Sequence, residues 1–119
     1  MRRIALSLLM LAGATMTVPT LSAQTPDPAQ VKRGQELYTA QKCQMCHSID
    51  GKGSKLSPLD GVGSKLSAEE IKAWILTPVQ MTTKTKSTKK PAMPNRYDKL
   101  PAADVDALVA YMQSLKKKG

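Results

Sequence analysis

Both cysteines of this chain and its only histidine fall within five consecutive residues, Cys43-Gln44-Met45-Cys46-His47. With two Cys and one His in 119 residues, chance would produce that arrangement about once in 7,000 chains. The spacing suits one chemistry in particular. Two thiols one helical turn apart can each add to one of the two vinyl groups on a porphyrin edge, and the next residue then sets an imidazole under the iron. C-x-x-C-H is the attachment signature of c-type haem. Other uses of these residues fit less well. A thioredoxin-type redox pair needs a βαβ context, and the chain shows no strand alternation. A structural zinc site wants four ligands and would have to recruit carboxylates. A plain disulfide leaves His47 without a role.

The rest of the composition agrees with a core built around a cofactor. There is no Phe, and the aromatics are Tyr38, Trp74, Tyr97 and Tyr111. Hydrophobic residues make up 41% of the chain, enough for a globular domain and too many for wholesale disorder. Met1-Arg2-Arg3, the apolar run Ile4–Val18 and the small residues before Gln24 have the layout of a secretory signal peptide over residues 1–23. The apolar run is short for a membrane span of about 20 residues, so a cleaved leader and a periplasmic protein are expected rather than an uncleaved membrane anchor. Residues 24–28 then form a flexible lead-in, and 29–119 one domain, too small for a multi-domain enzyme or a repeat array. Without Arg2 and Arg3, Lys+Arg falls from 18 to 16 against 9 acidic residues, a net charge of +7.

Along the domain, Val31, Leu37 and Tyr38 suggest a helix from Ala29 to about Gln41. Gly34 inside it costs roughly 1 kcal/mol relative to Ala, which implies close approach by another element. Asp50 to Gly63, rich in Gly and Pro, reads as a structured loop. Ser67-Ala68-Glu69-Glu70 is a capping box opening a helix with Ile71, Trp74 and Ile75 on one face, stopped by Pro78. Met81 to Asn95 carries Lys84, Lys86, Lys89, Lys90, Pro91 and Pro94 and reads as loop. Pro101 precedes an amphipathic helix with Val105, Leu108, Val109, Met112 and Leu115 on its apolar face. The expected fold class is all-α: three to four short helices with long loops around one covalently bound haem. Loops of that length need something to organise them.

Beyond the leader the methionines are Met45, Met81, Met93 and Met112. Met45 lies inside the attachment motif and Met112 on an apolar helix face, where packing is the default role. Met81 and Met93 remain as candidates for a sixth iron ligand. Met93 is favoured because Pro91 and Pro94 restrict the backbone around it. Trp74 can donate its indole N–H to a haem propionate, although a core Trp with a backbone partner is the plainer expectation.

Taken together, residues 29–118 resemble the small class I c-type cytochromes. Gly34 and Tyr38 ahead of Cys43-Gln44-Met45-Cys46-His47 are similar to that family's first helix, and Leu108 and Tyr111 to its last, which crosses the first at the glycine. Leu59-Asp60-Gly61-Val62-Gly63 is similar to the loop after the motif. Met93-Pro94 resembles the segment supplying the sixth ligand. The resemblance implies one haem c, with Cys43 and Cys46 as covalent thioethers, His47 as proximal and Met93 as distal ligand of the iron. It implies a single-electron carrier of relatively high potential. With both axial positions filled no enzymatic activity and no small-molecule substrate are expected. The alternatives are a haem subunit of a larger respiratory or dehydrogenase complex, and a gas or peroxide handler with an open sixth position. The family usually has Gly-Pro two residues before that loop's Leu, with a carbonyl there accepting from the proximal His; here Pro58 directly precedes Leu59 and Ser57 precedes Pro58, so the carbonyl that meets His47 is that of Ser57 or of Pro58.

The partners expected are redox proteins with acidic docking surfaces, steered by lysines near the motif (Lys52, Lys55) and before Met93 (Lys84, Lys86, Lys89, Lys90). Nucleic acid is not expected, because no aromatic residues interleave with the basic ones. No basic amphipathic helix points to a membrane surface. A monomer is expected.

Overall fold

The computed structural model describes residues 13–14 and 25–118. Apart from Gly13 and Ala14, the expected leader therefore lies outside the described residues. Among those residues the chain forms five α-helices, two short 3₁₀ turns and one three-stranded sheet, and no helix is long and apolar enough to cross a membrane.

Helix α1 spans Pro28–Ala40. Pro28 occupies its first turn, where a missing N–H costs nothing, and the Asp27 carboxylate accepts from the Gln30 amide at 3.1 Å. Gly34, Leu37 and Tyr38 form its buried face. That face meets α5, Ala102–Ser114, which buries Val105, Leu108, Val109 and Met112. The expected close approach is there: a Cβ at Gly34 would run into the Ala107 carbonyl oxygen and Tyr111 Cβ. Nearby, the Tyr38 and Tyr111 rings meet edge to face, with centroids 5.8 Å apart. Gly34→Ala is therefore expected to destabilise the haem-loaded protein by about 1–3 kcal/mol, the usual range for overpacking. The gain in helix propensity, about 1 kcal/mol, offsets only part of this. A urea midpoint equal to or above wild type would show that the helices can part without loss.

The stretch read as a loop from Asp50 to Gly63 contains real secondary structure. Strands β1 (His47–Ile49), β2 (Lys52–Gly53) and β3 (Ser57–Pro58) form a sheet with β1 in the middle. β1 and β2 are antiparallel, paired Ser48 to Gly53 and Ile49 to Lys52, and β1 and β3 are parallel, paired His47 to Ser57 and Ser48 to Pro58. Strands of two or three residues are too short to show alternation. The hairpin nevertheless has a local signature, because Asp50 (φ 50°) and Gly51 (φ 75°) are both left-handed, as a two-residue Asp-Gly turn requires. After it, α2 (Val62–Lys65) packs on the end of α5, where the Gly63 amide donates to Leu115 O at 2.9 Å.

Helix α3, Ala68–Leu76, opens on the expected capping box: the Glu70 amide donates to Ser67 Oγ at 3.1 Å and the Ser67 amide to Glu70 Oε2 at 2.8 Å. Pro78 ends one helix and starts another. Helix α4 runs Pro78–Thr85 with Pro78 in its first turn and Met81 buried beneath it. The loop expected from Met81 is thus helical as far as Thr85; a proline at the first helical position is a start signal as well as a stop signal. The irregular segment proper begins at Lys86, whose φ of 52° turns the chain out of α4.

A candidate haem pocket

Helix α1 ends at a left-handed Lys42 (φ 58°), which folds Cys43–Met45 into a 3₁₀ turn closed by the Cys46 amide donating to Cys43 O at 3.1 Å. That turn carries both thiols to the wall of a cavity of about 770 Å³, within the roughly 300–1,000 Å³ of typical ligand cavities. Leu59, Val62, Leu66, Ile71, Ile75 and Leu108 line it with apolar surface. Both cysteines are free and half-buried. Burial pushes the Cys43 thiol up to about 11, partly opposed by the positive charge of Arg96, so the sulfur keeps its proton at neutral pH.

His47 follows at the start of β1. Its Nδ1–H donates to the Ser57 carbonyl at 2.8 Å, across the same β1–β3 pairing that sets the two residues side by side. The two-residue strand β3 is therefore part of the site. It fixes the imidazole's tautomer and orientation and leaves the Nε2 lone pair for a metal. It also settles which carbonyl meets the histidine: that of Ser57, not Pro58. Burial holds His47 below its ordinary pKa, with the Ser57 bond acting the other way. The Tyr38 hydroxyl donates to His47 O at 3.3 Å, and burial raises that phenol to about 12.

Met93 lines the same cavity from the irregular segment, and Met81 does not. Met81 instead lies under α4 as buried filler. Met112 also reaches the cavity, but from within the packed face of α5. Trp74 lines it too, half-buried, and its indole N–H has no protein hydrogen bond among the described residues. The backbone partner expected for Trp74 is thus not found, since α3 holds the ring toward the cavity rather than toward a free carbonyl.

The residues fit a haem on four counts: two free thiols one turn apart, an imidazole with one nitrogen already committed, a thioether, and an apolar space of the right size. A family model described as cytochrome c matches residues 31–116. The chain belongs to the cytochrome c family. No curated protein and no solved structure matches it. Membership makes haem c, attached through Cys43-Gln44-Met45-Cys46-His47, the cofactor of this chain, and electron transfer its general function.

Two site features had no counterpart in the sequence reading. Arg96 lies at the cavity, its guanidinium 5.2 Å from the centroid of the buried Tyr97 ring and donating to the Tyr97 hydroxyl at 3.1 Å. Lys89 Nζ reaches Leu56 O at 3.5 Å, linking the segment before Met93 to the residues just before β3. The Arg-Tyr dipeptide after Met93-Pro94 was the available signal for the first. The second depends on a contact 33 residues apart and had none.

Proposed function

We propose that the protein is a monomeric periplasmic carrier of single electrons, not an enzyme, in which His47 and Met93 are the two axial ligands of the haem iron. The observation that carries this reading is the selection among methionines. Of the two candidates, Met93 lines the cavity that holds Cys43, Cys46 and His47, and Met81 does not. Haem supplies one-electron chemistry when bound. The chain contributes the imidazole, held by Ser57, and a thioether on a proline-stiffened segment. Thioether ligation in an apolar pocket favours the ferrous state and so a relatively high potential. A ferric absorbance band at the red end of the spectrum, from sulfur–iron charge transfer, is expected; its absence in the purified protein would rule out methionine ligation. Export to the periplasm rests on the leader-like residues 1–23.

Charge at the cavity supports acidic redox partners. Lys42, Lys89, Lys90 and Arg96 line it, and no Asp or Glu does. Three acidic groups elsewhere pair with basic ones: Asp104 with Arg33 at 3.3 Å, Asp106 with Lys72 at 3.0 Å and Asp50 with Lys118 at 3.1 Å. Of the lysines expected to form a rim, Lys89 and Lys90 reach the cavity and Lys52, Lys55, Lys84 and Lys86 do not. Met45 (68% exposed) and Leu56 (54%) add apolar contact at the mouth. A small transient interface of this kind gains mainly in association rate. Electron exchange with the physiological partner is expected to slow on the order of tenfold between low and physiological salt. Lys89→Glu combined with Lys90→Glu should slow it at low salt and flatten that dependence. A rate indifferent to salt would remove the steering role.

A further inference from the structure

The methionines beyond the leader differ in how much water reaches them. Met81 and Met112 are buried, with 8% and 7% of their surface exposed. Met93 is half-buried on the cavity, where its sulfur serves the iron. Met45 is 68% exposed. The cause is local. Met45 ends the 3₁₀ turn Cys43–Met45, and its amide donates to Lys42 O at 3.1 Å. That turn takes Cys43 and Cys46 into the cavity wall as half-buried residues and leaves the residue between them largely in solvent. Met45 and Leu56 both line the cavity while staying open to water; Val79, also exposed, lies outside it.

Thioether sulfur reacts with two-electron oxidants, and the residues most open to solvent react first. Once Cys43 and Cys46 are tied to haem and Met93 to iron, Met45 carries the exposed methionine sulfur of the described residues. We propose that Met45 is a site of reversible oxidation by hydroperoxides, and that its sulfoxide weakens the complex with the redox partner. In the step, a sulfur lone pair forms an S–O bond to one peroxide oxygen as the O–O bond breaks. The sulfur gives up two electrons, and the other oxygen leaves as water or an alcohol, taking the proton from the first. A dithiol returns the two electrons through a methionine sulfoxide reductase, becoming a disulfide and releasing water. The sulfoxide is a strongly hydrated dipole that is costly to cover without a hydrogen-bond partner, so the mouth loses apolar contact. The charges of Lys89 and Lys90 stay as they were. Steering is therefore kept, and the loss falls on the lifetime of the complex. The oxidation itself stands on exposure alone; its effect on the partner rests on the docking face described above.

The test treats the haem-loaded protein with hydrogen peroxide and follows each methionine by peptide mass. Met45 should gain one oxygen on the order of tenfold faster than Met81 or Met112, with the sulfur–iron band and midpoint potential unchanged. Electron exchange is then measured with ferricyanide, an anion that senses charge but covers no apolar surface, and with an acidic blue-copper protein, which does both. Exchange with the copper protein should slow about threefold, recover after reductase and dithiol, and leave the ferricyanide rate unmoved. In Met45→Leu, which has no sulfur there to oxidise, peroxide should leave the copper-protein rate where it was before treatment. Oxidation of Met81, Met93 or Met112 ahead of Met45 would overturn the proposal. So would a sulfoxide form that exchanges with the copper protein at the untreated rate, or one slowed equally with ferricyanide. A copper-protein rate that ignores salt before any oxidation would instead overturn the acidic-partner reading, and the peptide masses alone would then decide whether Met45 is the oxidised sulfur.

Discussion

Replacing Cys43 and Cys46 together by Ala is expected to yield a mostly unfolded chain. The buried hydrophobic residues are few, and most of them lie along the α1–α5 contact and under α3. The remaining inward surface faces a cavity of about 770 Å³. Without haem the mostly apolar lining of that cavity is left to water, at about 25 cal/mol for each Å² that the cofactor would have covered. A domain of this size has only about 5–15 kcal/mol of net stability. The segment from Lys86 to Arg96 is the other weak point, since it has no helix or strand of its own and lies along the cavity. Without covalent haem it loses the surface it packs on. The expected far-UV circular dichroism is that of a largely disordered chain, with no cooperative urea transition. Native-like helicity and a cooperative transition in the haem-free double variant would mean that α1, α3 and α5 suffice as a core, and the fold would then be a scaffold that haem occupies rather than one it completes.

What was legible in the sequence follows from the range of each interaction. Cys43-Gln44-Met45-Cys46-His47 is a local pattern, the Ser67–Glu70 capping box closes within one helical turn, and the Gly34 contact announces itself as a costly residue inside a helix. Each carries its meaning within a few positions. The hairpin at Asp50-Gly51 was equally local, but strands of two or three residues do not alternate, so the turn was the only signal and was absorbed into a Gly-rich loop. Proline breaks a helix from within but begins one at the first turn, and Pro78 does both, ending α3 and opening α4. The choice between Ser57 and Pro58 was not readable at all. It depends on the register of β3 on β1, a long-range pairing that the sequence marks only by the missing Gly-Pro.

The second large effect is expected at Met93. Met93→Ala should abolish the sulfur–iron band, lower the midpoint potential and open the iron to water or an added external ligand, because a thioether stabilises the ferrous state relative to an oxygen donor. Pro91 and Pro94 hold that segment in place with little backbone freedom, so the neighbouring Asn95 amide cannot swing round to substitute for the lost sulfur. Met81→Ala separates ligation from packing. Met81 is buried under α4 outside the cavity, so its loss should destabilise the fold by about 2–5 kcal/mol while leaving the band intact. Met112 is the stricter control, since its side chain also reaches the cavity. Met112→Leu conserves volume on the α5 face and should cost less than about 1.5 kcal/mol with the band unchanged. The three variants therefore divide the sulfur atoms into one that binds iron and two that fill space. If the band survives in Met93→Ala and disappears in Met81→Ala or Met112→Leu, the ligand has been assigned to the wrong methionine. If it survives in all three, the iron takes its sixth ligand from elsewhere in the chain, and the proline-flanked segment before Arg96 serves only to close the pocket.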